Sequence, residues 1–300
     1  MSYGIRAASV LYLSICIACE AAAAPTQAPD LKAEDLTSLL LRLEVNEAAN
    51  WKLFQQYTFD EFLHNTNFHK DGKVGLDYSV KYEHIFVEGL PYRRIVESNG
   101  KLLTGKAAKA EKKFYEDAVR ERQDMSIEEK RKKFYEVRRS AFPMCCLAAL
   151  FENRVEGHET IDGRDTVIVE SVPRADANPA NDYERSSLVW KEIAWIDTQD
   201  AMVVRAQEES LVDQGHILKG AKYEIVNQRV VDTPASEGQP EKAVWVPKSS
   251  VSHFSMKMED PEITGTTEQT YSNFKKFHVD VRLLYDTMQV LPEPAAAPTK

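Results

Sequence analysis

The sequence predicts an α+β protein, mainly β, built on one curved antiparallel sheet whose concave face is covered by helices. Three observations lead there. Segments of period-2 alternation recur along most of the chain, separated by turn signals such as Asp71-Gly72, Asn99-Gly100 and Asp162-Gly163. Two stretches, near residues 31–49 and 104–141, show helical spacing instead. No repeat of 20 to 50 residues is present, so neither a propeller nor a solenoid is expected. Consecutive antiparallel strands with short connections form one sheet, and amphipathic helices must bury their stripes against it.

The first two dozen residues read as an export signal. Arg6 is followed by an apolar run from Ala7 to Ala18 and then by Ala21 to Ala24, the order of a secretory signal peptide with cleavage expected after Ala23. The run is shorter than the roughly 20 residues of a membrane span. A lipoprotein ending, with Cys19 as the lipid-anchored residue, is the alternative. One domain is expected over residues 24–291, with a helical insertion at about 104–150. Residues 292–300, rich in Pro and Ala, form an expected disordered tail.

Asp30 can cap a first helix whose apolar positions are Leu36, Leu39, Leu40 and Leu43, fading near Ala49. Residues 52–68 then read as a strand with Tyr57, Phe59 and Glu61 on one face. Tyr78, Val80, Tyr82, His84 and Phe86 form the apolar face of the next strand. A turn over Gly89–Pro91 leads to a third, Tyr92–Ser98. Thr104–Gln123 and Ser126–Ala141 are the helices of the insertion, the second opened by the capping box Ser126-x-x-Glu129. Phe114, Ala118 and Val119 mark one apolar side of the first helix, and Phe134, Val137 and Ala141 one side of the second. Pro143 breaks the pattern, and residues 144–151 are wholly apolar, which suits insertion into a core or cavity. Strands follow from Arg154 to Phe277, interrupted by a loop at residues 173–187.

Composition excludes some functions. Formal net charge is −9, so nucleic acid is not an expected partner. Residues 101–139 run against the trend, with thirteen Lys or Arg against eight Asp or Glu. Such a segment suits peripheral contact with anionic lipid or an acidic protein, or is simply a solvated helical pair. After cleavage only Cys145 and Cys146 remain. Adjacent Cα atoms lie about 3.8 Å apart, closer than ordinary disulfide geometry allows, so two thiols are expected and no zinc site.

No nucleophile elbow, phosphate loop or His-Glu-x-x-His motif occurs. His64 and His69 do not share a strand face. Asp197 and Asp200 read as a turn. Glu208 and Glu209 point to opposite faces, so a carboxylate pair depends on strand neighbours. No catalytic residue, metal or cofactor is expected. The candidate ligand-binding set is therefore apolar: Tyr78, Val80, Tyr82 and Phe86 on the sheet; Phe114, Val119 and Phe134 on the helices; and Phe142, Met144, Leu147 and Leu150 in the apolar segment. These form a pocket for a greasy ligand or simply a core.

Several phrases resemble the LolA/LolB-like superfamily of periplasmic lipoprotein carriers and lipoprotein-sorting proteins. They are Trp195-Ile196-Asp197 with Val204-Arg205 beyond it, Val244-Trp245-Val246-Pro247-Lys248, and Tyr271-Ser272-Asn273-Phe274-Lys275-Lys276-Phe277. The resemblance spans most of residues 31–285. It implies an unclosed β-barrel with helices as a lid, a cavity for lipid or lipoprotein acyl chains, a monomer, and no enzyme activity. A same-fold module that binds an envelope protein or senses stress is the alternative. The charged insertion departs from the family pattern.

Overall fold

A computed structural model describes residues 33–130, 132–133, 136, 146–213, 217–233, 242–256 and 263–276. The signal segment, Asp30, Phe134, Val137, Ala141, Phe142, Met144, Cys145, Phe277 and the tail lie outside them. Helix α1 (Ala33–Phe54) opens the described chain. Strands β1 (Tyr57–Phe68), β2 (Val74–Val87), β3 (Leu90–Ser98) and β4 (Lys101–Leu102) follow, then helix α2 (Gly105–Asp124). The short helix α3 (Leu147–Leu150) leads into β5 (Phe151–Ile161) and β6 (Arg164–Pro173). Helix α4 (Asp182–Ser187) precedes β7 (Trp190–Asp197), β8 (Met202–Ser210), β9 (Lys222–Thr233), β10 (Lys242–Met256) and β11 (Ile263–Lys276).

All strands join one 11-stranded sheet in the order β4-β3-β2-β1-β11-β10-β9-β8-β7-β6-β5. Every pairing is antiparallel. The sheet is not closed, because β4 and β5 are its two edges. Strand β1 pairs with β11, joining the two ends of the domain, and residues 103–150 carry the chain from one sheet edge to the other.

The turns obey local chemistry. Asn99-Gly100 and Asp162-Gly163 both take positive φ at the two central positions of a two-residue hairpin, where Gly carries no Cβ penalty. The β2–β3 turn is Glu88-Gly89, so Leu90 and Pro91 belong to β3 rather than to the turn expected there. Pro247 sits beside a register shift between β10 and β9, where a residue without an N–H costs the ladder least.

Two expectations are corrected. Residues 52–54 continue α1 instead of starting β1, because Trp51 and Phe54 extend the helical stripe begun by Leu43. The loop at 173–187 contains α4, whose N-cap Asn181 accepts from the Glu184 backbone N–H at 2.9 Å while Glu184 accepts from the Ala180 N–H at 2.7 Å. This variant of the capping box, with Glu184 reaching the amide before the N-cap, is legible as Asn181-x-x-Glu184. The predicted Ser126/Glu129 box forms: Glu129 N–H donates to Ser126 Oγ at 3.2 Å, and Glu129 Oε2 accepts from Ser126 N–H at 2.7 Å.

The core lies between α1, α3 and the sheet. Leu36, Leu39, Leu40 and Leu43 of α1 pack with Leu147, Leu150 and Phe151, and onto Val167, Val169, Ala194 and Ile196 of β6 and β7. A second, polar face of α1 ties it to the sheet by backbone groups. Arg42 Nη2 donates to Gln199 O at 3.0 Å, and Asn46 Nδ2 to Asp200 O at 2.6 Å. Asn50 bonds both backbone groups of Trp245. These residues stand at i, i+4 and i+8 and so share one side of the helix.

Candidate functional site: a cavity between helix α1 and the sheet

Helix α1 and one face of the sheet enclose a cavity of about 520 Å3. From α1 come Leu43, Trp51 and Phe54. Leu147 of α3 adds to this side, and the sheet supplies Phe59, Phe86, Met202, Ile225 and Trp245. The rings interlock: Phe54 stacks on Phe59 at 5.1 Å between centroids, and Phe59 stacks on His84 at 4.2 Å.

A row of polar groups crosses this apolar face. Register and hydrogen bonds place them on the cavity side of successive strands. Ser171 of β6 donates to Asn153 Oδ1 of β5 at 2.7 Å and lies opposite Glu192 of β7. Glu192 lies opposite Glu208 of β8, and Glu208 opposite Tyr223 of β9. Ser250 of β10 hydrogen-bonds with Tyr223 and Tyr271, and its hydroxyl donates to Gln269 Oε1 at 2.9 Å. Gln269 Nε2 donates to Glu61 Oε1 at 2.7 Å. Glu61 also bonds His84 Nε2 at 2.6 Å and the Arg93 guanidinium, whose Nε donates at 2.9 Å. Arg93 in turn lies over the Tyr82 ring, 3.6 Å from its centroid.

The two ends of the row differ electrostatically. Burial pushes the Glu61 carboxyl up. Hydrogen bonds from His84, Arg93 and Gln269, together with the Arg93 charge, outweigh that and hold it down at about 2. Glu61 is an ionised, saturated carboxylate, only 2% exposed. Glu192 and Glu208 are 5% and 7% exposed and, among the described residues, have no facing cation. Burial raises both carboxyls well above the usual range, and the neighbouring Glu208 raises Glu192 further. Glu44 of α1 is also raised by burial, against the Leu147 and Ala148 backbone N–H groups that lower it.

The structure separates the residues expected from sequence. Phe86 and Leu147 line the cavity. Tyr78, Val80 and Tyr82 alternate onto the same strand face as His84 but lie outside the cavity lining. Leu150 is buried in the core cluster with α1 and β6. Val119 is half-buried on α2, away from the lining. Phe114 is the clear correction, being 66% exposed. Helix α2 docks instead through Tyr115, which packs edge-on against Tyr92 at 5.6 Å, through Glu111, which accepts from the Tyr92 hydroxyl, and through Arg122. Tyr92 and Arg93 are successive strand residues and point to opposite faces. Arg93 reaches Glu61 beside the cavity, so α2 packs on the other face of β3.

The candidate set read from sequence is apolar, whereas the structure also brings polar groups together on the cavity face. The signal was present as inward charges in alternating strands. Trp190, Glu192, Ala194 and Ile196 share a face, as do Met202, Val204, Ala206 and Glu208. What pairs them is the β7–β8 register, which no local pattern encodes. Among the described residues no group of three His, Cys, Asp or Glu could hold a metal ion, and no helix is long and apolar enough to cross a membrane.

No family model matches the sequence, and no curated protein matches it. Solved structures do show similarity. A DUF1329 family protein from Desulfovibrio piger aligns over 85% of this chain and 98% of its own, at 12% identity and a TM-score of 0.31. A putative outer membrane lipoprotein-sorting protein domain from Vibrio parahaemolyticus aligns over 84% and 98%, at 10% identity and a TM-score of 0.33. A LolA superfamily protein from Nitrosomonas europaea aligns over 82% and 96%, at 12% identity and a TM-score of 0.27.

Proposed function

We propose that this chain is an exported carrier that holds the acyl chain of a lipid or lipoprotein in the cavity beneath α1, without catalysis. The observation that supports this reading is the cavity itself. Its volume of about 520 Å3 falls within the range of roughly 300–1,000 Å3 usual for small-ligand sites. Its walls at Leu43, Trp51, Phe54, Phe59, Phe86 and Trp245 are apolar, as an alkyl chain requires. In this reading the mature chain starts at residue 24 in the periplasm, and α1 with α3 is the helical cover of the sheet's concave face. Native mass spectrometry of the protein purified from its own envelope is expected to show a bound lipid mass. Displacement of a fluorescent fatty acid is expected to titrate one site. A clean apo mass combined with no fatty-acid uptake removes the reading.

One observation favours a second reading, in which the chain docks an envelope protein. Helix α2 exposes Phe114 among Lys106, Lys109, Lys112 and Lys113. An exposed ring amid like charges suits an acidic partner or an anionic lipid surface. Pull-down from envelope extract with Phe114→Ser and the four lysines changed to Gln is expected to lose the partner. Unchanged recovery rejects this second reading.

A further inference from the structure

We infer that the cavity selects apolar ligands that carry an ammonium group, with the Glu192–Glu208 carboxyl pair as the receptor for that group. The inference rests on the carrier reading and names the head of the ligand that the apolar walls would hold.

Four observations converge. First, Glu192 and Glu208 are cross-strand partners on adjacent strands, which places their side chains side by side on the cavity face. Second, three acceptor atoms on the cavity wall are buried without a hydrogen-bond partner among the described residues: Glu192 Oε1, Gln55 Oε1 and Glu44 Oε1. Gln55 is only 3% exposed and is not an acid, so the excess of acceptors is not confined to the carboxyl pair. Buried polar atoms are normally bonded, and acceptors left open on a cavity wall are complementary to a donor-rich group.

Third, the charges lining the cavity are one-sided. Glu44, Glu47, Glu61, Glu192 and Glu208 line it, against the single guanidinium of Arg93 and the ring of His84. Arg93 and His84 are both bonded to Glu61. Fourth, Arg229 of β9, which shares the face of Tyr223, is bonded to Asp200, and the cations Lys191 of β7 and Arg205 of β8 lie on the other face of the sheet. There Lys191 pairs with Glu209 at 3.1 Å and Arg205 with Glu224 at 3.2 Å. The groups that face the pair from its neighbours are Ser171 on β6, Tyr223 on β9, Glu44 and Glu47 on α1, and Cys146 and Leu147 beside α3. None of these is a cation.

An ammonium supplies three N–H donors and one positive charge, and it converts a costly pair of buried acids into a charge-assisted site. A fatty acid would bring a further carboxylate against two others and is disfavoured. A neutral alcohol supplies one donor and no charge. Binding of an ammonium stabilises the ionised form of the pair and therefore releases protons near neutral pH, whereas binding of the alcohol does not.

The test uses the full chain and three probes of equal length: dodecylamine, dodecanol and dodecanoate, each competing against a neutral fluorescent hydrophobic dye. The amine is expected to bind at least about tenfold more tightly than the alcohol, which corresponds to about 1.4 kcal/mol. Its affinity is expected to rise between pH 6 and 8.5 while that of the alcohol stays level. In the double variant E192Q/E208Q the amine preference and the pH slope are expected to vanish, with alcohol binding retained. Equal binding of amine and alcohol, or a preference that survives in the double variant, overturns the inference and leaves the carrier reading intact. Tightest binding by dodecanoate does the same. Failure of every probe, the reporter included, removes the carrier reading and this inference with it.

Discussion

Asn50 of α1 makes both backbone hydrogen bonds of Trp245 in β10: its Nδ2 donates to Trp245 O at 2.7 Å, and its Oδ1 accepts from Trp245 N–H at 2.8 Å. The β10–β11 ladder begins only at Ser249, so at Trp245 the side-chain amide of Asn50 does what a neighbouring strand would do. Trp245 is itself held, its indole N–H donating to Asp200 at 3.0 Å. Asp200 also accepts from Arg229 and Arg164. Asn50, with Arg42 and Asn46 on the same side of the helix, thus ties α1 to the sheet wall of the cavity.

Asn50→Leu keeps the size of the side chain and removes both bonds. It leaves a backbone N–H and C=O unsatisfied beside a buried Trp, at about 1–3 kcal/mol for each group. The expected loss is about 2–4 kcal/mol in denaturant unfolding, with faster amide exchange along α1. A variant that unfolds like the parent shows that the contact contributes nothing.

Glu61 sets the acid limit of the fold. Its carboxyl is held near 2, against an ordinary 4.5. The stabilisation is present above the ordinary value and is lost as pH falls through the folded one. It is worth on the order of 3 kcal/mol at neutral pH. Glu61→Gln should therefore be less stable than the parent at pH 7 and approach it near pH 2. Parallel stability curves for the two proteins across pH 2–7 would count against this role.

The Glu192–Glu208 pair works in the opposite sense. Both carboxyls are raised by burial, so the stability they allow is complete in acid and declines as pH rises through their folded values. Glu192→Gln replaces an ionisable group by a neutral one of similar shape and leaves Glu208 without a charged neighbour. Its thermal midpoint should match the parent near pH 5 and exceed it at pH 9 by several degrees, at roughly 2–4 °C per kcal/mol for a chain of this size. Identical midpoints at pH 9 would show that the pair carries no buried-charge cost.

These two carboxylate sites mark how far the sequence could be read. The alternation puts Tyr57, Phe59 and Glu61 on one face, and the structure shows that face to be the buried one. The turn signals at Asn99-Gly100 and Asp162-Gly163 place two hairpins. By contrast, the partners of Glu61 come from β2, β3 and β11, up to 208 residues away, and Glu192 meets Glu208 only through register. Helix α2 departs from its apolar pattern for a physical reason: its docking face is polar and aromatic, made of Glu111, Tyr115 and Arg122, and leaves the hydrophobic Phe114 exposed.

Arg122 anchors that helix. It is buried, and its guanidinium donates to Leu90 O and Pro91 O at 2.9 Å and to Val87 O at 3.4 Å, gathering the carbonyls around the β2–β3 turn. Arg122→Met retains the apolar stem and loses the donors. Local opening of α2 should become more than tenfold easier, for a loss of about 2 kcal/mol. Trypsin cleavage at the exposed lysines of α2 reads this directly, and an unchanged cleavage rate rejects the anchor. The thermal midpoint of the sheet should shift little.

Leu147 tests the helical cover from its other end. It follows Cys146, whose backbone takes a positive φ of 58°, and this turn aims α3 into the space between α1 and the sheet. The Leu147 side chain packs with the α1 leucines and lines the cavity at once. Glu44, on the facing helix, already accepts the Leu147 and Ala148 backbone N–H groups, so a second carboxylate here would meet like charge at a buried position. Leu147→Ala removes only packing and should cost about 2–4 kcal/mol while enlarging the cavity. Leu147→Glu should cost more, melt at a lower temperature and bind an environment-sensitive hydrophobic dye more strongly, because the wall between solvent and cavity opens. If the Glu variant melts with the parent and binds no more dye, then Leu147 is not a closing contact and α3 does not cover the cavity.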